Sequence, residues 1–208
     1  MNDTMTHDPL DAEQVSDLFA PRRKAMIDSQ LRTSGVNDPV VLARMGSVAR
    51  EEFVPRDRSG AAYMDRAVPL ADGGMLAAPL FYGHLLSEAQ PVKGDRALVV
   101  ENGSGYLAAL VGPLVGSVDT LSPADALSKK KGGDYTLVLV DGAIEHVPAA
   151  LAKRIADDGR LVGGTVDAGG ITSVSVGRKA GDGVAMRRVA DLGIPRLATF
   201  DKPKSWSF

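Results

Sequence analysis

The sequence predicts an α/β fold whose sheet is mostly parallel and carries helices on both faces. Two short apolar runs, Ala97–Val100 and Tyr135–Val140, are bounded by turn residues, which is typical of buried parallel strands. The first run leads into a glycine turn and then a helical pattern from Tyr106, the strand–turn–helix order of α/β proteins. Two later runs, 171–176 and 186–189, predict an antiparallel C-terminal hairpin.

Three further elements complete the predicted sheet domain. Residues 115–121 are predicted to form the second strand, and Pro148–Ile155 has the pattern of a helix. Another strand is expected to begin at Leu161, after the turn Asp158–Gly159.

Length and composition exclude several classes of protein. The chain has 208 residues, 44% of them hydrophobic, and 24 Lys and Arg against 26 Asp and Glu, which gives a net charge of −2. These values exclude a disordered tail and a polybasic nucleic-acid binder. The chain has no Cys and only three widely separated His, so we expect no disulfide, metal site or Cys nucleophile. With no signal-peptide pattern and no run of about 18 apolar residues, we expect a cytoplasmic protein without a membrane partner.

The chain is predicted to form one compact domain with three parts. Residues 1–20 are polar, and we expect a flexible N-terminal segment there. Residues 21–90 contain amphipathic helical patterns, the first opening at Pro21, and we expect them to pack on the sheet. Residues 91–208 hold the strands and form the core.

The glycine turn Glu101–Gly105 is the first candidate site. A strand that feeds a glycine-rich turn and a helix is the usual way in which α/β proteins hold nucleotides. Gly103, Ser104 and Gly105 are therefore candidate cofactor contacts. A purely structural strand-to-helix turn explains the same spacing equally well.

Several motifs, in order along the chain, resemble those of one enzyme family. They are Ala25–Leu31 (M-[IV]-x-x-Q-L), Val48–Pro55 (V-P-R-E-x-F-V-P), Ala62–Asp65 (A-Y-x-D), Gly103–Ala109 (G-[ST]-G-Y-x-A-A) and Asp134–Val140 (F-D-x-I-x-V). From about Ala25 onward the chain thus resembles the protein-L-isoaspartate O-methyltransferase family. The resemblance implies a Rossmann-like methyltransferase sheet, S-adenosylmethionine as cofactor, and methyl transfer to isoaspartyl carboxylates in damaged proteins.

The chain departs from that family at the glycine turn. An ungapped alignment places Glu101 where the family has the first Gly of its cofactor motif. Glu adds bulk and a negative charge beside the expected position of the cofactor's carboxylate. An alternative is that Glu101 is the family's acidic residue in a register shifted by two, which the match over Gly103–Ala109 disfavours.

A second departure follows the second strand. Family members end this strand in an acidic residue that binds the cofactor's ribose, and here Ser122 takes that position. Asp119 and Asp125 are nearby alternatives. Asp119 is expected on the other side of the strand, because side chains alternate between faces.

The third departure is a deletion. Only 29 positions separate Gly105 from Asp134, about half of what the family uses, while a βαβ unit alone takes roughly 30 residues or more. The segment 122–133 is too short for a helix and a strand, so the third strand and its helix are predicted to be missing. That loss would leave the second strand as an exposed edge, which invites pairing with another protein or a second copy of the chain.

Two more candidate positions lie near the expected transfer site. Ala77 stands where many family members have a Ser, so no catalytic residue is assigned. Asp141 follows a strand end and is a candidate cleft residue. A hydrolytic set of Ser104, Glu145 and His146 is a minor alternative, because Ser104 lacks the G-x-S-x-G context.

Two functions follow from these observations. The first is a homologue of the isoaspartate methyltransferases with a degraded S-adenosylmethionine site, weak or inactive, which acts by binding a protein or peptide or by self-association. The alternative is an active methyltransferase that uses S-adenosylmethionine.

Overall fold

The structure is a computed structural model that describes residues 12–128 and 133–203. The helices are α1 (Ala12–Met26), α2 (Pro39–Ser47), α3 (Pro79–Ala89), α4 (Tyr106–Val111), α5 (Pro123–Ala126) and α6 (Ala149–Ala152). The strands are β1 (Val68–Pro69), β2 (Met75–Leu76), β3 (Arg96–Val100), β4 (Ser117–Leu121), β5 (Tyr135–Ile144), β6 (Ile155–Val166), β7 (Thr172–Ala180) and β8 (Gly183–Asp191).

Six strands form the main sheet in the order β4-β3-β5-β6-β7-β8. The first four strands are parallel, and β7 and β8 are antiparallel to their neighbours. The predicted α/β class, the parallel core and the C-terminal hairpin are therefore confirmed. Each helix within the described residues is too short or too polar to span a lipid bilayer.

The core lies on both faces of the sheet, because alternate residues of each strand point to opposite sides. Ala97 and Val99 of β3 pack in the larger cluster, together with side chains of α1 to α4. Leu98 and Val100 pack in the smaller cluster, with side chains of α5 and α6 and with Phe200. The helices therefore cover both faces, as predicted.

The N-terminal helix begins earlier than the sequence predicted. It starts at Ala12 instead of Pro21, so Pro21 lies inside α1 and residues 12–20 are helical. Phe19 supplies the reason, because its side chain is buried against Tyr63 with ring centroids 6.2 Å apart. Such tertiary packing offsets the cost of a proline within a helix. Residues 1–11 of the predicted flexible segment lie outside the described residues.

The connection from β4 to β5 is short. Within the described part of the chain, the one-turn helix α5 is its only regular element, and no strand lies beyond β4. This agrees with the predicted absence of a third strand. Residues 129–132 of the predicted Lys-rich loop are not described.

Three boundaries differ from the prediction around β5 and β6. The helix predicted over 148–155 ends at Ala152, and β6 begins at Ile155 instead of Leu161. The strand predicted to end at Val140 continues to Ile144 across an irregularity in its pairing with β6. Asp141 therefore lies within a strand.

Candidate functional site

A cleft of about 500 Å³ opens at the carboxyl ends of β3 and β4. This is the edge of a parallel sheet at which α/β proteins bind ligands. Its walls are the turn after β3, the segment Thr120–Asp125, and the loop Asp72–Gly74 of the β1–β2 hairpin. The volume falls in the range of small-molecule sites.

The β1–β2 hairpin packs directly on the glycine turn. The Met75 N–H donates to the Asn102 carbonyl oxygen over 3.3 Å. A Cβ at Gly74 would lie 2.3 Å from that same oxygen, so only Gly allows this approach. Gly103 has a φ of +91°, and a Cβ on it would lie 2.8 Å from Oδ2 of Asp72. Asp72 and the hairpin were not predicted as part of the site, although the turn Asp72–Gly74 is visible in the sequence.

Glu101 turns its side chain onto the start of α4. One carboxylate oxygen accepts from the Gly105 N–H at 3.1 Å, and the other from the Ala108 N–H at 3.2 Å. Burial raises the pKa of Glu101, and the two backbone hydrogen bonds offset part of that rise. The first helical N–H groups, which lack partners within a helix, are thus partly satisfied by the protein's own carboxylate.

Asp141 is completely buried below the cleft. Its oxygens accept from the Tyr82 hydroxyl at 2.8 Å and from the Ser104 hydroxyl at 3.4 Å. Burial, and then the charge of Glu101, raise the pKa of Asp141 to about 7, while Tyr82, Arg50 and Ser104 act in the opposite direction. Asp141 does not line the cleft.

Ala77 is also buried, with 1% of its surface exposed. Its N–H donates to the Tyr82 hydroxyl at 3.2 Å, and its carbonyl accepts from Arg50. The buried Arg50 guanidinium also donates to the Ala62 carbonyl and lies 5.0 Å from the ring centroid of Tyr106. The peptide at the family's Ser position is therefore held by Arg50 and Tyr82, neither of which was predicted as a site residue.

Ser122 serves as the N-cap of α5. Its hydroxyl accepts from the Asp125 N–H at 3.1 Å and lies 2.7 Å from the Asp125 carboxylate. Both residues line the cleft, and their polar groups are paired with each other. Asp119 accepts from the Tyr135 hydroxyl at 2.8 Å and does not line the cleft, which matches its predicted orientation.

The structure does not assemble the hydrolytic set. Ser104 bonds to Asp141 and to the Tyr106 N–H, and Glu145 accepts from Arg196 and the Lys202 N–H. Nδ1 of His146 is buried and has no hydrogen-bond partner in the described part of the chain. Within residues 12–128 and 133–203, no group of three or more His, Asp or Glu is placed to hold a metal ion.

Most of the predicted site residues fall into two groups, and Gly105, the N-cap of α4, belongs to neither. Glu101, Gly103 and Ser122 line the cleft, whereas Ser104, Ala77 and Asp141 belong to a buried polar network beneath it. The sequence carries no signal for their division into a surface layer and a buried layer.

Comparison with known proteins identifies the family. The family model described as Protein-L-isoaspartate(D-aspartate) O-methyltransferase (PCMT) matches residues 21–124. Protein-L-isoaspartate O-methyltransferase 1 of Rhodopseudomonas palustris (strain HaA2) is 30% identical in an alignment that covers 75% of this chain and 73% of the relative. The Protein-L-isoaspartate O-methyltransferase of Roseiflexus sp. (strain RS-1) is 32% identical in an alignment that covers 69% of this chain and 77% of the relative.

A solved structure agrees in fold. It is the crystal structure of a protein from Plasmodium falciparum described as a protein-L-isoaspartate O-methyltransferase, in complex with S-adenosyl-L-homocysteine. It matches with a TM-score of 0.70 and 17% identity, covering 84% of this chain and 97% of that one. From these matches, together with the sheet order and the glycine turn, the chain belongs to the protein-L-isoaspartate O-methyltransferase family.

Proposed function

We propose that this protein is a protein-L-isoaspartate O-methyltransferase homologue whose S-adenosylmethionine site is degraded and which acts by binding or self-association. One observation carries the proposal: the Glu101 carboxylate accepts from the Gly105 and Ala108 N–H groups at the start of α4. Backbone N–H groups at such a turn are the donors that an anionic ligand group uses. Here the carboxylate of a residue in the same turn uses them instead.

The charge of the cleft supports the same conclusion. Asp72, Glu101 and Asp125 line it, and no Lys or Arg is among the described residues of its lining. A ligand carboxylate placed beside Glu101 would meet a like charge in a partly buried setting, which disfavours the ionised pair.

The ribose-binding position gives further support. The Ser122 hydroxyl and the Asp125 carboxylate are paired within the cap of α5. A ligand hydroxyl would therefore have to displace an internal hydrogen bond to reach either group, which lowers its net gain. On this proposal the residues present do not fit the S-adenosylmethionine that the family resemblance implied, and we derive no methyl-transfer step.

The alternative is an active S-adenosylmethionine-dependent methyltransferase acting on isoaspartyl carboxylates. It is favoured by the names of the relatives and by the bound S-adenosyl-L-homocysteine in the Plasmodium falciparum structure. This function requires the Glu101 side chain to leave the start of α4 when the cofactor binds.

Titration with S-adenosylmethionine and S-adenosyl-L-homocysteine, followed by thermal shift and calorimetry, separates the two functions. A ligand at 100 times its Kd would stabilise the folded protein by about 2.7 kcal/mol. We expect no stabilisation of the native protein and a measurable Kd for Glu101→Gly. Glu101→Gln is the matched control, because it keeps the bulk and removes the charge.

The outcomes discriminate clearly. Micromolar binding by the native protein, with methylation of an isoaspartyl peptide, would establish the alternative. Binding by Glu101→Gly but not by Glu101→Gln would show that bulk blocks the turn, and binding by both would show that charge does.

Self-association is proposed through β4. Its described pairing is with β3 alone, so one row of its backbone groups remains available to a second copy of the protein. Sedimentation over a range of concentrations should reveal a dimer that Thr120→Lys weakens, because edge lysines oppose strand pairing. Ala43→Lys, on the exposed side of α2, adds the same charge away from the edge and should leave the dimer intact. A monomer at every concentration would contradict this part of the proposal.

A further inference from the structure

The turn after β3 contains an Asn–Gly pair that the proposed function does not use. The sequence has three Asn residues, Asn2, Asn37 and Asn102, and only Asn102 is followed by Gly. Asn followed by Gly is the pair most prone to intramolecular loss of ammonia, because glycine has no side chain to hinder approach of its nitrogen and permits the unusual backbone angles that attack needs.

The reaction releases ammonia and needs water as its only co-reactant. The Gly103 nitrogen loses its proton to a base and attacks Cγ of Asn102, a new bond forms between these two atoms, and the bond from Cγ to the amide nitrogen breaks as ammonia leaves with a proton. Water then opens the resulting five-membered imide. Cleavage of the bond between Cγ and the Gly103 nitrogen gives aspartate, and cleavage of the original peptide bond gives isoaspartate.

The local geometry leaves both reacting groups available. Gly103 is exposed, and its N–H donates no hydrogen bond in the described part of the chain. The Asn102 side chain is half-buried, lines the cleft, and likewise makes no hydrogen bond there. Its amide can therefore rotate toward the next nitrogen without breaking a hydrogen bond.

A carboxylate lies beside the attacking residue. Oδ2 of Asp72 is 2.8 Å from the position that a Cβ on Gly103 would occupy. A carboxylate this close to Gly103 can act as a general base toward its N–H when the Asn102 amide approaches.

We infer that Asn102 is a site of spontaneous deamidation in the folded protein, with Asp72 assisting. The product places a third carboxylate in the turn, next to Glu101 and Asp72. Its isoaspartyl form also adds a methylene to the backbone, where the Asn102 carbonyl now receives the Met75 N–H. The inference depends only on the turn and stands whether or not a cofactor binds.

The test incubates the full-length folded protein in mildly alkaline buffer and follows it by peptide mass spectrometry. Exchange of NH2 for OH changes the mass, whereas isomerisation at the Asp–Gly pairs does not, so the signal is specific to Asn. We expect deamidation at Asn102 at least about tenfold faster than at Asn37, which is a barrier lower by about 1.4 kcal/mol. Electron-transfer fragmentation should find both aspartyl and isoaspartyl products.

Two variants sharpen the test. Asn102→Gln should abolish the product at this position, because its longer side chain would need a six-membered ring. Asp72→Ser should slow the reaction while keeping an oxygen that accepts from the Gly74 N–H, as Asp72 now does at 3.0 Å.

Equal rates at Asn102 and Asn37 would overturn the inference. So would deamidation at Asn102 in urea-unfolded protein together with its absence in the folded protein, because the fold would then protect the pair. An unchanged deamidation rate in Asp72→Ser would show that Asp72 does not assist the reaction.

Discussion

The two ends of the parallel sheet bury carboxylates in opposite ways. At the amino end, Asp95 accepts from Arg160, from Thr136 and from the Val92 N–H, with an Arg160 nitrogen 2.7 Å away. At the carboxyl end, Glu101 and Asp141 accept only from neutral donors, and burial together with the charge of Glu101 raises the pKa of Asp141.

The pKa shifts reflect this difference. Burial acts to raise the pKa of Asp95, but Arg160 and the neutral donors outweigh it, and the net shift is downward. Burial raises the pKa of both Glu101 and Asp141 without a bonded cation to oppose it. The ionised carboxylate at the amino end therefore stabilises the fold, whereas ionising the carboxyls at the carboxyl end costs free energy. Carboxyls with perturbed pKa values are common at functional sites.

Arg160→Ala should have the largest effect. Arg160 also donates to the carbonyls of Ala89 and Gln90 at the end of α3. Its loss therefore leaves the buried Asp95 carboxylate without a cation and these two carbonyls without this donor. We expect the free energy of unfolding to fall by about 3 kcal/mol, since breaking a buried pair leaves an uncompensated charge. Urea denaturation at neutral pH measures it.

Asp95→Asn in the Arg160→Ala background is the control. Removing the stranded charge should recover part of the loss, and a double variant no more stable than Arg160→Ala would contradict the role of the pair. Because the pKa of Asp95 is lowered in the folded state, its contribution is present at neutral pH and is lost as the pH falls below the pKa of an ordinary carboxyl.

Asp141→Asn should stabilise the protein at pH 8 by about 2 kcal/mol. With a folded pKa of about 7, Asp141 keeps a proton that the unfolded protein releases near pH 4, so its contribution to stability declines as the pH rises between these values. Asn remains neutral throughout and removes this decline. Unfolding curves at pH 4.5 and pH 8 measure this change in stability. The variant protein is used freshly prepared, because the substitution creates an Asn–Gly pair that can deamidate.

A gain of the same size at both pH values would show that packing, and not charge, is responsible. The groups facing Asp141 are Tyr82, Ser104, Glu101 and Arg50. Ser104→Ala serves as the control, since it removes a hydroxyl donor and should leave most of the pH dependence in place.

Glu101→Gln should have the smallest effect. It removes a charge that raises the pKa of Asp141, so the pH midpoint of that group should fall by less than about one unit. NMR titration of the Asp141 carboxyl measures it, and an unchanged midpoint would show that the two carboxyls are not coupled.

Much of the fold was predictable from sequence, because burial patterns and turns act locally. The runs Ala97–Val100 and Tyr135–Val140 and the C-terminal hairpin all follow from such patterns. The predicted start of α1 at Pro21 was wrong. The helix begins at Ala12 and is held by the packing of Phe19 on Tyr63, a contact between residues distant in sequence.

The candidate site was predictable only in part. The position of Glu101 in the glycine turn was visible, but its two bonds to backbone N–H groups depend on how the side chain folds over α4. Arg50, Tyr82 and Asp72 were missed because they come from separate loops and helices that only the tertiary fold brings beside the sheet.

The contact between the β1–β2 hairpin and the turn has a practical use. The Met75 N–H of the hairpin donates to the Asn102 carbonyl of the turn, and the backbone at Gly74 approaches that carbonyl too closely for a side chain to fit between them. A ligand that separates the hairpin from the turn would expose this amide to solvent deuterium. A ligand that holds the two together would slow its exchange. The deuterium uptake of a single peptide around Met75 therefore reports ligand binding without any attached probe.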